Sequence, residues 1–261
     1  ILYFGLLALV LPFIAYLGLH YRYLGQTALT GWVLSLSLCL GAGISLGQVV
    51  PGVWILVYAS LFAILYLLGS QWFDHAPSGW QNPFSMIGSL GITGLTFLLT
   101  YEKLWHYIFN RLYSEFAAIS DYNWGILNLA PVILLTAIAF ALLAFAIWQG
   151  NKERLLYGIM PVLAFVGFLV ALGKISIIWP VIGFNIYMLA LGAGTIASGI
   201  RNNRLAMVNS GMAILAVLIL GRFFDTDYGL AVRGAAFIVI GIGFVTANSF
   251  LHRKTKVRKY A

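Results

Sequence analysis

Residues 23–73 read YLGQTALTGWVLSLSLCLGAGISLGQVVPGVWILVYASLFAILYLLGSQWF, and these 51 positions hold no Asp, Glu, Lys or Arg. A water-soluble domain of ordinary size cannot hide so long an uncharged, apolar run. A bilayer can, because about 20 apolar residues in a helix cross its hydrocarbon core. Two helices and a turn account for the stretch. Val50-Pro51-Gly52 supplies the turn, and Pro51 is suited to open the second helix. The chain is therefore read as all-α, a polytopic transmembrane helical bundle.

Composition agrees. Hydrophobic residues make up 62% of the chain and charged residues 8%, against about 25% charged in a soluble domain. The net charge of +8 is uneven: five of the fifteen basic residues (Arg253, Lys254, Lys256, Arg258, Lys259) fall in the last ten positions. The other ten face seven acids, so the body of the chain is near +3. A basic tail over 252–261, straight after an apolar helix, marks a cytoplasmic end that touches anionic lipid headgroups. Nucleic-acid binding is not the reading. Cys39 is the single cysteine and lies inside a predicted span, so neither an intrachain disulfide nor a cysteine metal site is expected. The sequence starts at Ile1 without an initiator Met, as expected of a processed or truncated product or of part of a longer chain.

Charge-poor windows predict nine spans, near 1–19, 27–49, 52–72, 84–101, 126–148, 155–173, 176–199, 205–221 and 234–251. They form one transmembrane domain over 1–251. Basic residues in short loops set the orientation. With a cytoplasmic C-terminus, Arg22, Lys152 with Arg154, and Arg201 with Arg204 share that side. Lys174 and the segments 102–124 and 222–233 then lie opposite. Residues 74–83 are turn-rich and carry Trp80, suited to the headgroup zone. Residues 102–124 predict an amphipathic helix and loop: Leu104, Ile108, Leu112 and Phe116 make one stripe, and Lys103, His106, Asn110, Arg111 and Glu115 the other side. It either lies in the membrane interface or continues the fourth span and packs on a neighbour. Small residues at helical spacing (Gly43 and Gly47; Gly88, Gly91 and Gly94; Ala190, Gly194 and Ser198) predict close helix packing in lipid. No internal repeat is visible in the sequence.

Chemistry is sparse. An ionisable group deep in a span flags function in a membrane protein, and here every charged residue falls at or near a predicted span end. The intramembrane polar candidates are Gln48, Asn128, Asn185 and Asn209, each read first as a helix–helix hydrogen bond and second as a substrate ligand. Glu102 and His106 share a helical face, the minimum for a metal or acid–base pair, without a third ligand at helical spacing. Asp74, His75 and Ser78 have hydrolase residue types outside any nucleophile-elbow context. No cofactor and no catalytic constellation is expected. The densest feature is the last hairpin, where Arg222 and Arg233 are expected to clasp Asp225 and Asp227, with an anionic-ligand or headgroup site as the functional alternative.

That hairpin, Arg222-Phe223-Phe224-Asp225-x-Asp227 followed by Val232-Arg233-Gly234, Phe237, Gly241 and Asn248, resembles the closing segment of a family of multi-pass bacterial membrane proteins catalogued as a domain of unknown function. Leu40-Gly41-Ala42-Gly43-Ile44-Ser45-Leu46-Gly47-Gln48 is similar to its Gly-rich motif ending in Gly-Gln. After Gln48 the chain departs from the family's usual Ile-Tyr-His type of continuation and has Val49-Val50-Pro51-Gly52. The resemblance implies a bacterial inner-membrane protein without an established activity. Similar proteins are encoded beside a smaller membrane-anchored protein, which implies a membrane complex. The expectation is a non-enzymatic subunit or scaffold whose partners are membrane lipids and another membrane protein. Its rivals are a carrier or flippase for an amphipathic substrate, and an enzyme using the 74–124 side.

Overall fold

The computed structural model describes residues 25–47, 53–72, 79–118, 126–150, 152–173 and 175–225, with single positions 238, 241, 242 and 245 beyond them. Among these residues the secondary structure is helical, with no strand. The helices are α1 (Gly25–Gly47), α2 (Trp54–Trp72), α3 (Pro83–Leu99), α4 (Glu102–Ala118), α5 (Ile126–Trp148), α6 (Lys152–Gly158), α7 (Met160–Leu172), α8 (Ile178–Arg201) and α9 (Leu205–Asp225). A short 3₁₀ turn at Gly79–Gln81 precedes α3.

Five helical stretches among the described residues are long and apolar enough to cross a membrane: Trp54–Gln71, Ala130–Trp148, Arg154–Leu172, Ile178–Arg201 and Leu205–Phe223. The expected count of nine is not reproduced. The first predicted span lies outside the described residues, and the ninth is described only at four helical positions. The second appears as α1, 23 residues long, an apolar helix over Ala28–Gly43 among the described residues. The fourth is a sixth candidate only when α3 is counted together with Glu102–Asn110, from which it is bent by 86°.

That bend has a visible cause. A helix end leaves carbonyls without intrahelical partners, and here side chains take them. Thr100 Oγ1 donates to the Phe97 carbonyl at 2.6 Å, and Trp105 Nε1 donates to the Leu99 carbonyl at 2.7 Å. With those groups satisfied, the chain turns, so α4 does not prolong the fourth span. Its Trp105 and Ile108 are buried against protein, while Glu102, Lys103, His106 and Tyr107 are exposed. Trp105 stacks on Phe184, 5.7 Å between ring centroids. A break at Ile159 separates α6 from α7. It falls just before Pro161, which has no N–H to bond back into the preceding turn.

The chain divides into two compact units, Ile1–Phe184 and Asn185–Ala261, with the boundary inside α8. In the first unit α2 is the innermost span: 56% of its apolar window is buried, against 28% for α5. Ala59, Ala63 and Leu67 have no exposed surface. α3 lies close against it because Gly88 has no Cβ; one placed there would meet the Tyr66 backbone nitrogen and, at 2.7 Å, the Phe62 carbonyl. Asn82 fixes the entry to α3, accepting from Ser85 N and donating to the Gly69 carbonyl, each at 3.1 Å. Trp80 is held at this end, 4.7 Å from the ring of Trp32, whose Nε1 donates to its carbonyl.

In the second unit, α8 and α9 form a hairpin. Asn203 turns it in the left-handed region (φ 53°), where Asn is tolerated, and Arg204 N reaches the Gly199 carbonyl at 2.9 Å. The expected ridge of Ala190, Gly194 and Ser198 is not the packing face, for Ala190 is exposed. Gly192 and Gly199 face α9 instead, Gly192 against Leu215 and Gly199 against Val208. Ala190, Gly194 and Ser198 also share a helical face, and the neighbours select the other one: Leu215 lies beside Gly192 and Val208 beside Gly199.

Candidate functional site

The two groups of candidate residues read from the sequence meet at one point. Arg222, in the last turn of α9, donates from Nε (3.1 Å) and Nη2 (2.9 Å) to the side-chain oxygen of Asn185 in α8. Both side chains are partly buried. Asn185 was expected as a neutral intramembrane polar group and Arg222 as half of a hairpin clasp; the geometry joins them. Asp227 and Arg233 lie outside the described residues, as does the side chain of Asp225. Gln48 and the side chain of Asn128 also lie outside them. Asn209 is exposed in the second turn of α9.

Several other polar side chains inside helices are used for packing. Ser35 Oγ donates to the Gly31 carbonyl at 2.7 Å, and Thr195 Oγ1 to the Leu191 carbonyl at 2.6 Å, each closing back on its own helix. Ser60 Oγ donates to Thr136 Oγ1 at 3.2 Å, joining α2 to α5. Tyr58 donates its hydroxyl to the Cys39 carbonyl at 3.1 Å, joining α2 to α1.

Two clefts in the first unit are lined by described residues. One lies on the flank formed by α2, α5 and α7, with a volume of about 370 Å³. Its walls include Leu56, Val132, Ile133, Phe140, Phe165 and Phe168, with Thr136 contributing one hydroxyl. The other, of about 450 Å³, lies between α4 and the α7–α8 connection, lined by Glu102, His106 and Phe109 on one side and Ile175–Ile178 on the other. Glu102 and His106 do come together, Nε2 to Oε1 at 3.4 Å, one turn apart on an exposed helical face. A third metal donor does not join them: among the described residues no three His, Cys, Asp or Glu side chains cluster. Asp74, His75 and Ser78 lie outside the described residues.

The Ile175–Ile178 wall was not foreseen, because four apolar or small residues after a hairpin carry no signal until the turn of α4 sets a carboxylate opposite them. The flank cleft was missed for a related reason: every residue in it also reads as ordinary lipid-facing or core sequence. No family model, curated protein or solved structure matches this chain.

Proposed function

We propose that this chain is a non-enzymatic subunit or scaffold of a membrane protein assembly, in the bacterial inner membrane with a cytoplasmic C-terminus. The observation that carries the reading is the fate of the intramembrane polar groups. Among the described residues, Ser35, Ser60, Thr136, Tyr58, Thr195, Asn185 and Arg222 bond to the chain itself. A carrier of a polar solute would turn such groups toward a path instead. The outward surface supports the same reading: Ile133, Leu134, Ile147 and Trp148 on α5 are well exposed, a face suited to lipid or to a partner's helix. Membrane lipids and a second membrane protein are the partners this surface suits.

One observation favours the rival, a carrier or flippase for a lipid. The flank cleft is almost wholly apolar and large enough for part of a hydrocarbon chain. Gentle extraction in native lipid, followed by mass spectrometry of all co-purifying chains and lipids, separates the two. The subunit reading expects a stoichiometric second protein. A lone chain carrying one enriched lipid would replace it with the carrier.

A further inference from the structure

The cleft between α4 and the α7–α8 connection sits at one end of the bundle. α3 ends at Leu99, α7 ends at Leu172 and α8 begins at Ile178, so in a bilayer crossed by these helices its walls would lie where hydrocarbon gives way to headgroups. We propose that this cleft binds an amphiphile bearing a primary ammonium group, with the ammonium on Glu102 and the first part of its hydrocarbon along Phe109, Ile175 and Ile178. The inference needs only that these helices cross a bilayer. It does not depend on the chain being a subunit.

Glu102 is an exposed carboxylate with about four acceptor positions, of which His106 engages one oxygen at 3.4 Å. The remaining positions suit N–H donors from a compact cation. Charge-assisted bonds of that kind are the strong ones, and a quaternary ammonium cannot make them. An aromatic cage, the usual device for a quaternary group, is not built by the described residues, among which Phe109 is the one Phe, Tyr or Trp lining the cleft. Among the described residues no Lys or Arg lines the walls, so none of them would hold an anionic headgroup. A metal ion would find Glu102 and His106 without a third donor among the described residues. What remains is an acid at the rim and isoleucines on the floor, at interfacial depth. That pairing matches phosphatidylethanolamine, or a soluble amine with an apolar tail.

The test uses the full chain in bilayer discs holding equal phosphatidylethanolamine, phosphatidylcholine and phosphatidylglycerol, with retained lipid counted by native mass spectrometry. Phosphatidylethanolamine is expected to be retained about tenfold over phosphatidylcholine, the preference one charge-assisted bond supports. Glu102→Gln should bring retention down to the bilayer ratio, and Ile178→Trp, which fills the floor, should do the same. Both positions are exposed, so melting temperatures should match the parent and exclude misfolding as the cause. Displacement of the lipid by millimolar n-octylamine would assign the site to a free amine, and resistance to it would assign the site to the lipid. Equal retention of the three lipids, a preference for phosphatidylglycerol, or a preference that survives Glu102→Gln would overturn the proposal.

Discussion

Arg222 places two nitrogens, Nε at 3.1 Å and Nη2 at 2.9 Å, on the single side-chain oxygen of Asn185. Asn185 lies seven residues inside the start of α8 at Ile178, about 10 Å along the axis at 1.5 Å per residue. The contact thus ties α8 to α9 below the helix end, with a charged donor. Interhelical hydrogen bonds in membranes average about 0.6 kcal/mol, whereas bonds to charged groups reach about 1.5–3 kcal/mol. The charge and the forked geometry put this one toward the upper range. Asn185→Leu should therefore lower stability by about 1–3 kcal/mol. Arg222→Lys should lose much of the same contact, because an ammonium cannot reproduce the fork. In a double-mutant cycle read by denaturant unfolding, Asn185→Leu with Arg222→Leu should cost clearly less than the two singles added. Strict additivity would show that the pair is not coupled.

Two glycines of one helix should answer Ala in opposite ways. At Gly88 a methyl would press on the Tyr66 backbone and the Phe62 carbonyl, neither of which can rotate away. Gly88→Ala should force α2 and α3 apart, at about 1–3 kcal/mol. Gly94 has nothing within 4 Å of the same position, so Gly94→Ala should be neutral, or stabilising by up to about 1 kcal/mol through helix propensity. Thermal melts of the two variants check the contrast. Equal effects would mean that α3 does not pack on α2 through Gly88.

Much of the helix layout was legible because charge placement is a one-dimensional signal. A run such as 126–148 without charge forecasts α5 residue for residue. The break at Thr100–Tyr101 was less legible, since it depends on Thr100 and Trp105 reaching back to the carbonyls of Phe97 and Leu99. No composition rule announces such a cap. The packing face of α8 was misread for a different reason. Gly192 and Ala190 are equally small, and only the neighbour (Leu215 beside Gly192) decides which one is used. The amide–guanidinium pair needed tertiary information, with Asn185 and Arg222 lying 37 residues apart.

Trp105 tests whether α4 is a docked part of the first unit. The ring is nearly fully buried, lies over Gly167 (2.7 Å to the site of a Cβ), and its Nε1 holds the Leu99 carbonyl. Trp105→Ala should cost about 3–5 kcal/mol and free α4, with new protease cleavage between 102 and 118. Trp105→Phe keeps apolar volume and loses the N–H, so a cost of about 1–3 kcal/mol is expected from the orphaned carbonyl. Unchanged stability in both variants would show that α4 is carried on the surface rather than locked to α7.

The α1–α2 contact permits a rescue experiment. Tyr58 donates its hydroxyl to the Cys39 carbonyl at 3.1 Å, and that hydroxyl occupies the space a Cβ on Gly43 would need. Cys39 and Gly43 are one helical turn apart, so the hydroxyl shares the carbonyl that also serves the helix. Gly43→Ala should collide with the hydroxyl and cost about 1–3 kcal/mol as overpacking. Tyr58→Phe should cost only about 1 kcal/mol, the value of one neutral hydrogen bond. Combining them removes the collision, because the ring carbon that bore the hydroxyl stays 3.5 Å away, an ordinary contact. The double variant should then be no less stable than Tyr58→Phe alone, so that the second substitution rescues the first. Denaturant midpoints of the three variants decide it. A double variant less stable than either single would mean that Gly43 is required by something other than the Tyr58 hydroxyl.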